Sequence, residues 1–157
     1  MSVHRSTYLP ISVGRTQKRD MRSQFAALCY RIVKDKPQVL LITSRDTGRW
    51  IVPKGWPMDG KAPHEAAAVE AFEEAGAQGR VFDRVLGMYS YEKDLDDGST
   101  LPCIVTLFPL KVQSLANDFP EAGERKRKWF SPRKAATKVD EPELSRILAQ
   151  FDPRLSR

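Results

Sequence analysis

The stretch from Pro63 to Ala75 has a periodicity that fits one kind of secondary structure. At about 100° per residue, Ala67, Ala68, Val69, Ala71, Phe72 and Ala75 share one broad face, while Glu70, Glu73 and Glu74 cluster opposite it. Pro63 suits the first turn of a helix, where its missing N–H is not needed, and Gly76 can take the left-handed conformation that ends one. The spacing therefore predicts an amphipathic helix over 63–75 with an acidic stripe on its outer face. Before it, Lys54-Gly55-Trp56-Pro57-Met58-Asp59-Gly60-Lys61 reads as a loop by its glycine and proline content.

Strand-like segments surround this helix. Residues 23–33 and 39–43 are apolar and β-branched, and Lys34-Asp35-Lys36-Pro37 between them predicts a hairpin; Trp50-Ile51-Val52 is a third short strand. Beyond the helix, residues 80–91 hold β-rich segments, Asp96-Asp97-Gly98-Ser99 is a hairpin turn, and residues 101–112 are a further strand. Pro102 and Pro109 predict that this last strand is an edge or interrupted one. Residues 126–130 form a final strand, and 132–138 and 142–151 are helical. The order predicts an α/β fold with a mixed sheet packed by helices, and without alternating βαβ units or a GxGxxG it is not a doubly wound dinucleotide fold.

The chain has 157 residues, enough for one domain with a real core. Its longest uninterrupted apolar run, Phe25 to Tyr30, is far short of the ~20 residues of a membrane-spanning helix. No membrane role is expected. Cys29 and Cys103 lie in apolar stretches without metal-ligand spacing and read as reduced core thiols, which points to the cytoplasm. The net charge of +6 is concentrated: Arg5, Arg15, Lys18, Arg19 and Arg22 face only Asp20 in residues 1–22, so +4 belongs to that segment. Residues 1–22 are read as a basic tail, partly disordered or lining a site for anions, and 23–157 as the domain. The tail's Arg/Ser-rich composition resembles an organelle transit peptide but lacks an amphipathic apolar stripe, and it has no apolar centre like that of a secretory signal.

Glu70 and Glu74 are a like-charge i,i+4 pair with Glu73 beside them, costing an isolated helix a few tenths of a kcal/mol per pair. A solvated face balanced by lysines is one way to offset that repulsion. A hard divalent cation, Mg²⁺ or Mn²⁺, held by the carboxylates while it contacts phosphate oxygens, is the other.

The residues also carry a family likeness. Gly55-x5-Lys61-x7-Val69-Glu70-Ala71-x-Glu73-Glu74-x-Gly76-Ala77 resembles the Nudix box, G-x5-E-x7-R-E-U-x-E-E-x-G-U with U a bulky apolar residue. The glycines and the three helix glutamates match. Lys61 and Val69 stand where the pattern has Glu and Arg, two residues commonly paired in the family, so their joint replacement strands no charge. Arg49-Trp50-Ile51-Val52-Pro53-Lys54-Gly55 and Glu124-Arg125-Lys126-Arg127-Lys128-Trp129-Phe130 resemble the diphosphoinositol polyphosphate phosphohydrolase branch, which also takes diadenosine polyphosphates.

The resemblance implies the Nudix fold, a mixed sheet sandwiched between helices (α/β/α), and hydrolysis of a phosphoanhydride bond in a small polyphosphorylated substrate with Mg²⁺ or Mn²⁺. It implies Glu70, Glu73, Glu74 and Gly55 as metal ligands, with the three glutamates as catalytic residues. Cations for the phosphates are expected from Arg22, Arg45, Arg49, Lys54 and Arg125, since Arg suits bidentate phosphate contacts. Trp50 and Trp56 read as packing residues rather than base-stacking ones, and His4 and His64 lie too far apart in sequence to suggest a His metal site. In the run 125–130, strand alternation puts Arg125, Arg127 and Trp129 on one side and Lys126, Lys128 and Phe130 on the other. Three other readings stay open: removal of diphosphate from an RNA 5′ end, cleavage of a nucleoside diphosphate derivative, and a non-catalytic Nudix fold that binds a phosphorylated ligand. Nucleic acid is possible but not favoured, and either a monomer or a homodimer fits.

Overall fold

The computed structural model describes residues 22–154. Of the basic tail only Arg22 falls within them, as the exposed first residue of a strand; residues 1–21 lie outside the described residues. In chain order the elements are β1 (Arg22–Val33), β2 (Lys36–Thr43), β3 (Trp50–Ile51), β4 (Lys54–Gly55), α1 (Pro63–Ala75), β5 (Ala77–Val81), β6 (Gly87–Asp94), β7 (Thr100–Leu115), β8 (Arg127–Phe130), α2 (Pro132–Lys138) and α3 (Pro142–Gln150). All strands join one mixed sheet, with β1 parallel to β7 and every other pairing antiparallel.

Alternation along the strands divides the core in two. Ala26, Leu28 and Tyr30 of β1, Val39 and Leu41 of β2, and Val105 and Leu107 of β7 face α2 and α3 together with Leu144, Leu148 and Phe151. Ala27, Cys29, Leu40, Ile42, Phe108 and Leu110 face the opposite way, onto Ala67, Ala71 and Ala75 of α1. The layers are helix, sheet, helix. Cys29 and Cys103 are free and buried, and burial pushes the Cys29 thiol up to about 12. Among the described residues no helix is long and apolar enough to cross a membrane.

Two local solutions differ from the sequence expectation. β7 is an inner strand, paired with β1 on one side and with both β5 and β6 on the other. Pro109 is tolerated because it sits where β6 ends, at the Gly87↔Leu107 pair, and before β5 begins, at Val81↔Leu110; its carbonyl accepts from the Phe82 N–H at 3.0 Å. Pro102 lies one residue before the β1 pairing starts. A missing N–H at those two points breaks no continuous ladder. The β1–β2 hairpin turns on two residues, Lys34 and Asp35, with φ of 50° and 68°, the left-handed pair that matches the twist of the flanking strands.

The helix begins at Pro63 and ends against Gly76, whose φ of 69° lets its N–H reach the Phe72 carbonyl at 2.9 Å. The buried face keeps Ala67, Ala71 and Ala75 of the expected stripe but is turned toward the glutamates. Ala66, Ala67, Ala71 and Ala75 are buried with Glu74 among them, whereas Val69 and Phe72 are only half-buried. Helical geometry sets Glu74 next to the alanine stripe, so it is buried with it.

Candidate active site

Short pairings bring the loop before α1 onto the helix. β4 adds to β1 through Phe25↔Gly55 and Ala26↔Lys54, and the Lys54 N–H donates to the Glu74 carboxylate at 3.3 Å. Gly55 then lies directly against Glu70: a Cβ on Gly55 would overlap the Glu70 carboxyl. Arg127 fixes the other end of the helix by donating to the Ala75 carbonyl at 2.7 Å and the Ala116 carbonyl at 2.8 Å, a cation on the negative end of the helix dipole.

A cleft of about 240 Å³ opens over this junction, lined by Gly55, Glu70 and Glu74 together with Lys54, Arg45 and Arg125. The two carboxyls are hydrogen-bonded to each other. Burial, that hydrogen bond and the neighbouring charges of Glu74, Glu73 and Glu121 push Glu70 up to about 8. Glu74 is also raised by burial, against the pull of the Arg125 guanidinium and the Lys54 ammonium. Both shifts run the same way: bringing the two carboxyls together under cover disfavours their holding two negative charges at once. Lys54 is held down at about 8, by burial first, with the charge of Glu74 opposing the shift.

The cations are not equally available. Arg125 contacts Glu121 at 2.9 Å, the Thr43 carbonyl at 3.1 Å and Glu74 at 3.9 Å. Arg45 pairs with Glu124 at 3.0 Å, and Arg49, in an adjoining pocket, is held by Glu141 at 2.7 Å. Lys54 stands 4.9 Å over the Tyr91 ring with no carboxylate within ion-pair distance among the described residues. Arg22 begins β1 opposite Cys103 and is not part of the cleft lining, and neither is Glu73, whose carbonyl accepts from the Glu121 N–H at 3.0 Å.

The lining also includes residues that the sequence reading did not single out for this role, among them Gln24, Tyr91, Lys93 and Trp56. Tyr91 and Lys93 alternate on β6, so their shared side was readable once β6 was placed, and the Tyr91 hydroxyl donates to Gln24 at 2.7 Å. Trp50 does pack, edge-on against Phe130 at 5.2 Å, but Trp56 is 40% exposed at the cleft. Pro57 and the short β4 pairing hold Trp56 at the rim, away from the core. Arg127 and Trp129 fall on the α1 side and Phe130 on the other, as alternation required.

Among the described residues no three His, Cys, Asp or Glu side chains converge into a metal-holding cluster. The residues present nonetheless fit a hard divalent cation. Two carboxyls are brought together under cover where a cation would relieve their repulsion, and a glycine leaves the room beside Glu70 that any side chain would fill.

The chain belongs to the NUDIX domain family, which matches residues 22–151. It is related to the diphosphoinositol polyphosphate phosphohydrolases: it is 32% identical over 111 residues to diphosphoinositol polyphosphate phosphohydrolase 3-alpha of Mus musculus, covering 69% of this chain and 63% of that protein. It is 30% identical over 120 residues to mitochondrial Nudix hydrolase 12 of Arabidopsis thaliana, covering 74% of this chain and 59% of that one. The chain thus spans about three fifths of the length of these curated relatives. The solved binary complex of a C. elegans Ap4A hydrolase superposes with a TM-score of 0.62 at 21% identity, over 86% of this chain and 98% of the other. The NUDIX domain of Shewanella oneidensis NrtR, crystallised with ADP ribose, gives 0.62 at 12% identity, over 98% and 100%. Both likenesses establish the helix–sheet–helix fold.

Proposed function

We propose that this protein hydrolyses a phosphoanhydride bond in a small polyanionic diphosphate, a dinucleoside polyphosphate or a diphosphoinositol polyphosphate, with Mg²⁺ or Mn²⁺. The observation that carries the reading is the hydrogen-bonded Glu70–Glu74 pair seated against Gly55 inside a cleft lined by Lys54, Arg45 and Arg125. Glu70, Glu74 and the Gly55 carbonyl would hold the metal, with Glu73 as an outer carboxylate. When bound, the ion supplies charge neutralisation of phosphate oxygens and an acidified water.

The chain's own groups supply the rest. Lys54, free of a close carboxylate, takes phosphate charge first; Arg45 and Arg125 present guanidinium edges that Glu124 and Glu121 already orient. A carboxylate of the Glu70/Glu73/Glu74 set takes the proton of the attacking water. We place the protein in the cytoplasm, supported by its two unpaired, buried cysteines.

Purified protein should release phosphate or nucleotide only with Mg²⁺ or Mn²⁺, and Glu74→Gln should cost orders of magnitude in rate. Unchanged turnover in that variant removes the reading. Much faster consumption of 5′-triphosphorylated RNA than of small polyphosphates would move the substrate to RNA ends. Lys61, exposed at a box position that carries Glu in the family pattern, motivates one alternative: a module that binds a phosphorylated ligand without turnover, which tight calorimetric binding with no hydrolysis in any divalent ion would select.

A further inference from the structure

Two aromatic rings line the cleft, Tyr91 and Trp56, and Trp56 has no ring or cation contact among the described residues. Trp50 packs against Phe130 and Trp129 lies under the Arg31 guanidinium at 4.1 Å. The Tyr91 ring is covered by Lys54 and its hydroxyl is bound to Gln24. Trp56 alone of the three tryptophans has no ring or cation contact among the described residues, and it is 40% exposed while lining the cleft one residue from Gly55. At 40% exposure the indole leaves much of its ring open to water, a surface that a ligand ring would cover.

Its placement is fixed from both sides. Gly55 is tied into the sheet by the pairing with Phe25, and Pro57 restricts the backbone of the residue before it to extended conformations. A ring held this way loses little freedom when a ligand stacks on it. The cleft, at about 240 Å³, is smaller than the ~300–1,000 Å³ of pockets that enclose a whole ligand, so a nucleotide-sized molecule must leave part of itself at the rim where Trp56 stands.

Resting on the proposed hydrolase reading, we infer that Trp56 is a stacking platform for the purine base of a dinucleoside polyphosphate, and that it selects this substrate class over diphosphoinositol polyphosphates, which carry no flat ring. The phosphate chain lies between the platform and the Glu70–Glu74 pair, next to Lys54 and Lys93, neither of which has a carboxylate within ion-pair distance among the described residues. An inositol ring offers puckered hydroxyl-bearing faces and gains nothing comparable from an indole. Base–aromatic stacking is sequence-tolerant, so the platform accepts any purine.

The test separates the platform from the hydrolase reading. The full chain, Trp56→Leu and Trp56→Phe are titrated with diadenosine tetraphosphate and with inorganic tripolyphosphate, reading tryptophan emission just after mixing. Steady-state kinetics are measured on diadenosine tetraphosphate, a diphosphoinositol polyphosphate and a 5′-triphosphorylated oligoribonucleotide. Diadenosine tetraphosphate should quench the wild-type chain and not Trp56→Leu, and tripolyphosphate should quench neither. KM for diadenosine tetraphosphate should rise about tenfold or more in Trp56→Leu with kcat within about twofold, and Trp56→Phe should recover most of it. The base-free diphosphate should show no such dependence. Quenching that survives in Trp56→Leu, an equal KM rise on the diphosphoinositol substrate, or an effect confined to the RNA end overturns the inference. If no substrate turns over, the hydrolase reading fails, and the quenching titration still decides the platform. Melting of both variants at the wild-type temperature excludes misfolding, as expected for an exposed residue.

Discussion

Replacing Arg125 with methionine should weaken the fold more at pH 8 than at pH 5. Arg125 makes two contacts of 2.9 Å to the Glu121 carboxylate, donates to the Thr43 carbonyl at 3.1 Å and stands 3.9 Å from Glu74, with its side chain only 9% exposed. Breaking a buried pair costs about 3–5 kcal/mol, because the survivor keeps an uncompensated charge. Here Glu121 can turn into water and Glu74 can take up a proton, so about 2–3 kcal/mol is expected at pH 8. For a domain of this size that corresponds to roughly 4–12 °C in melting temperature. Burial already raises Glu74, and Arg125 is the largest influence holding it down, so the variant raises it further. A carboxyl with a folded-state pKa above its unfolded one favours folding below the unfolded value and loses that contribution as pH climbs. At pH 5 the deficit should therefore shrink to about 1 kcal/mol, chiefly the lost hydrogen bond to Thr43 and the unpaired Glu121. Metal-free thermal melts of wild type, Arg125→Met, Glu74→Gln and the double variant measure this, and the Glu74→Gln background should remove at least about 1 kcal/mol of the pH 8 deficit. Equal deficits at both pH values and in both backgrounds would refute the coupling of Arg125 to Glu74.

The raised Glu70, at about 8 against 4.5 unfolded, makes the metal-free protein lose stability as pH rises from 4.5 to 8. About 2 kcal/mol is expected after allowing for solvent screening at a half-exposed site, Glu70→Gln should flatten the profile, and denaturant titrations across that range read it. Gly55→Ala sets a methyl where the Glu70 carboxyl lies, so Mn²⁺ affinity by calorimetry should fall at least about tenfold; unchanged affinity contradicts the cradle. Arg127→Met removes the cap on the Ala75 carbonyl of α1 and the tie from there to the Ala116 carbonyl after β7, and should cost about 1–2 kcal/mol in urea unfolding, with a loss under about 0.5 kcal/mol showing that the cap is idle.

The helix and its loop were legible because their signals are local. Pro63 and Gly76 mark the helix ends observed, and alternation sorted Arg125, Arg127 and Trp129 from Phe130 before any strand was placed. Glu74 was misread because periodicity assigns a face by residue type, while burial depends on what stands opposite; the nearby Arg125 guanidinium and Lys54 N–H make a buried carboxyl tolerable there. Pro109 was misread for a similar reason. Its missing N–H matters only where a partner strand needs it, and the gap between β5 and β6 is a property of the assembled sheet. Of the cations flanking the box, Arg45 and Arg49 are held by Glu124 and Glu141, far along the chain, partners that no local pattern announces; Arg125 is held by Glu121, four residues before it but in a loop, where helical spacing gives no guide.

With Glu70 pushed up to about 8, a cation seated by Glu70 and Glu74 is expected to displace a proton. Calorimetric titration of the wild-type chain with Mn²⁺ at pH 7.5, repeated in two buffers of different ionisation enthalpy, measures both events at once. Saturable binding with proton release in wild type, and loss of both in Glu70→Gln and in Glu74→Gln, is the expected result. Mn²⁺ binding that survives in both variants, or that releases no proton, would contradict a metal site built on this pair.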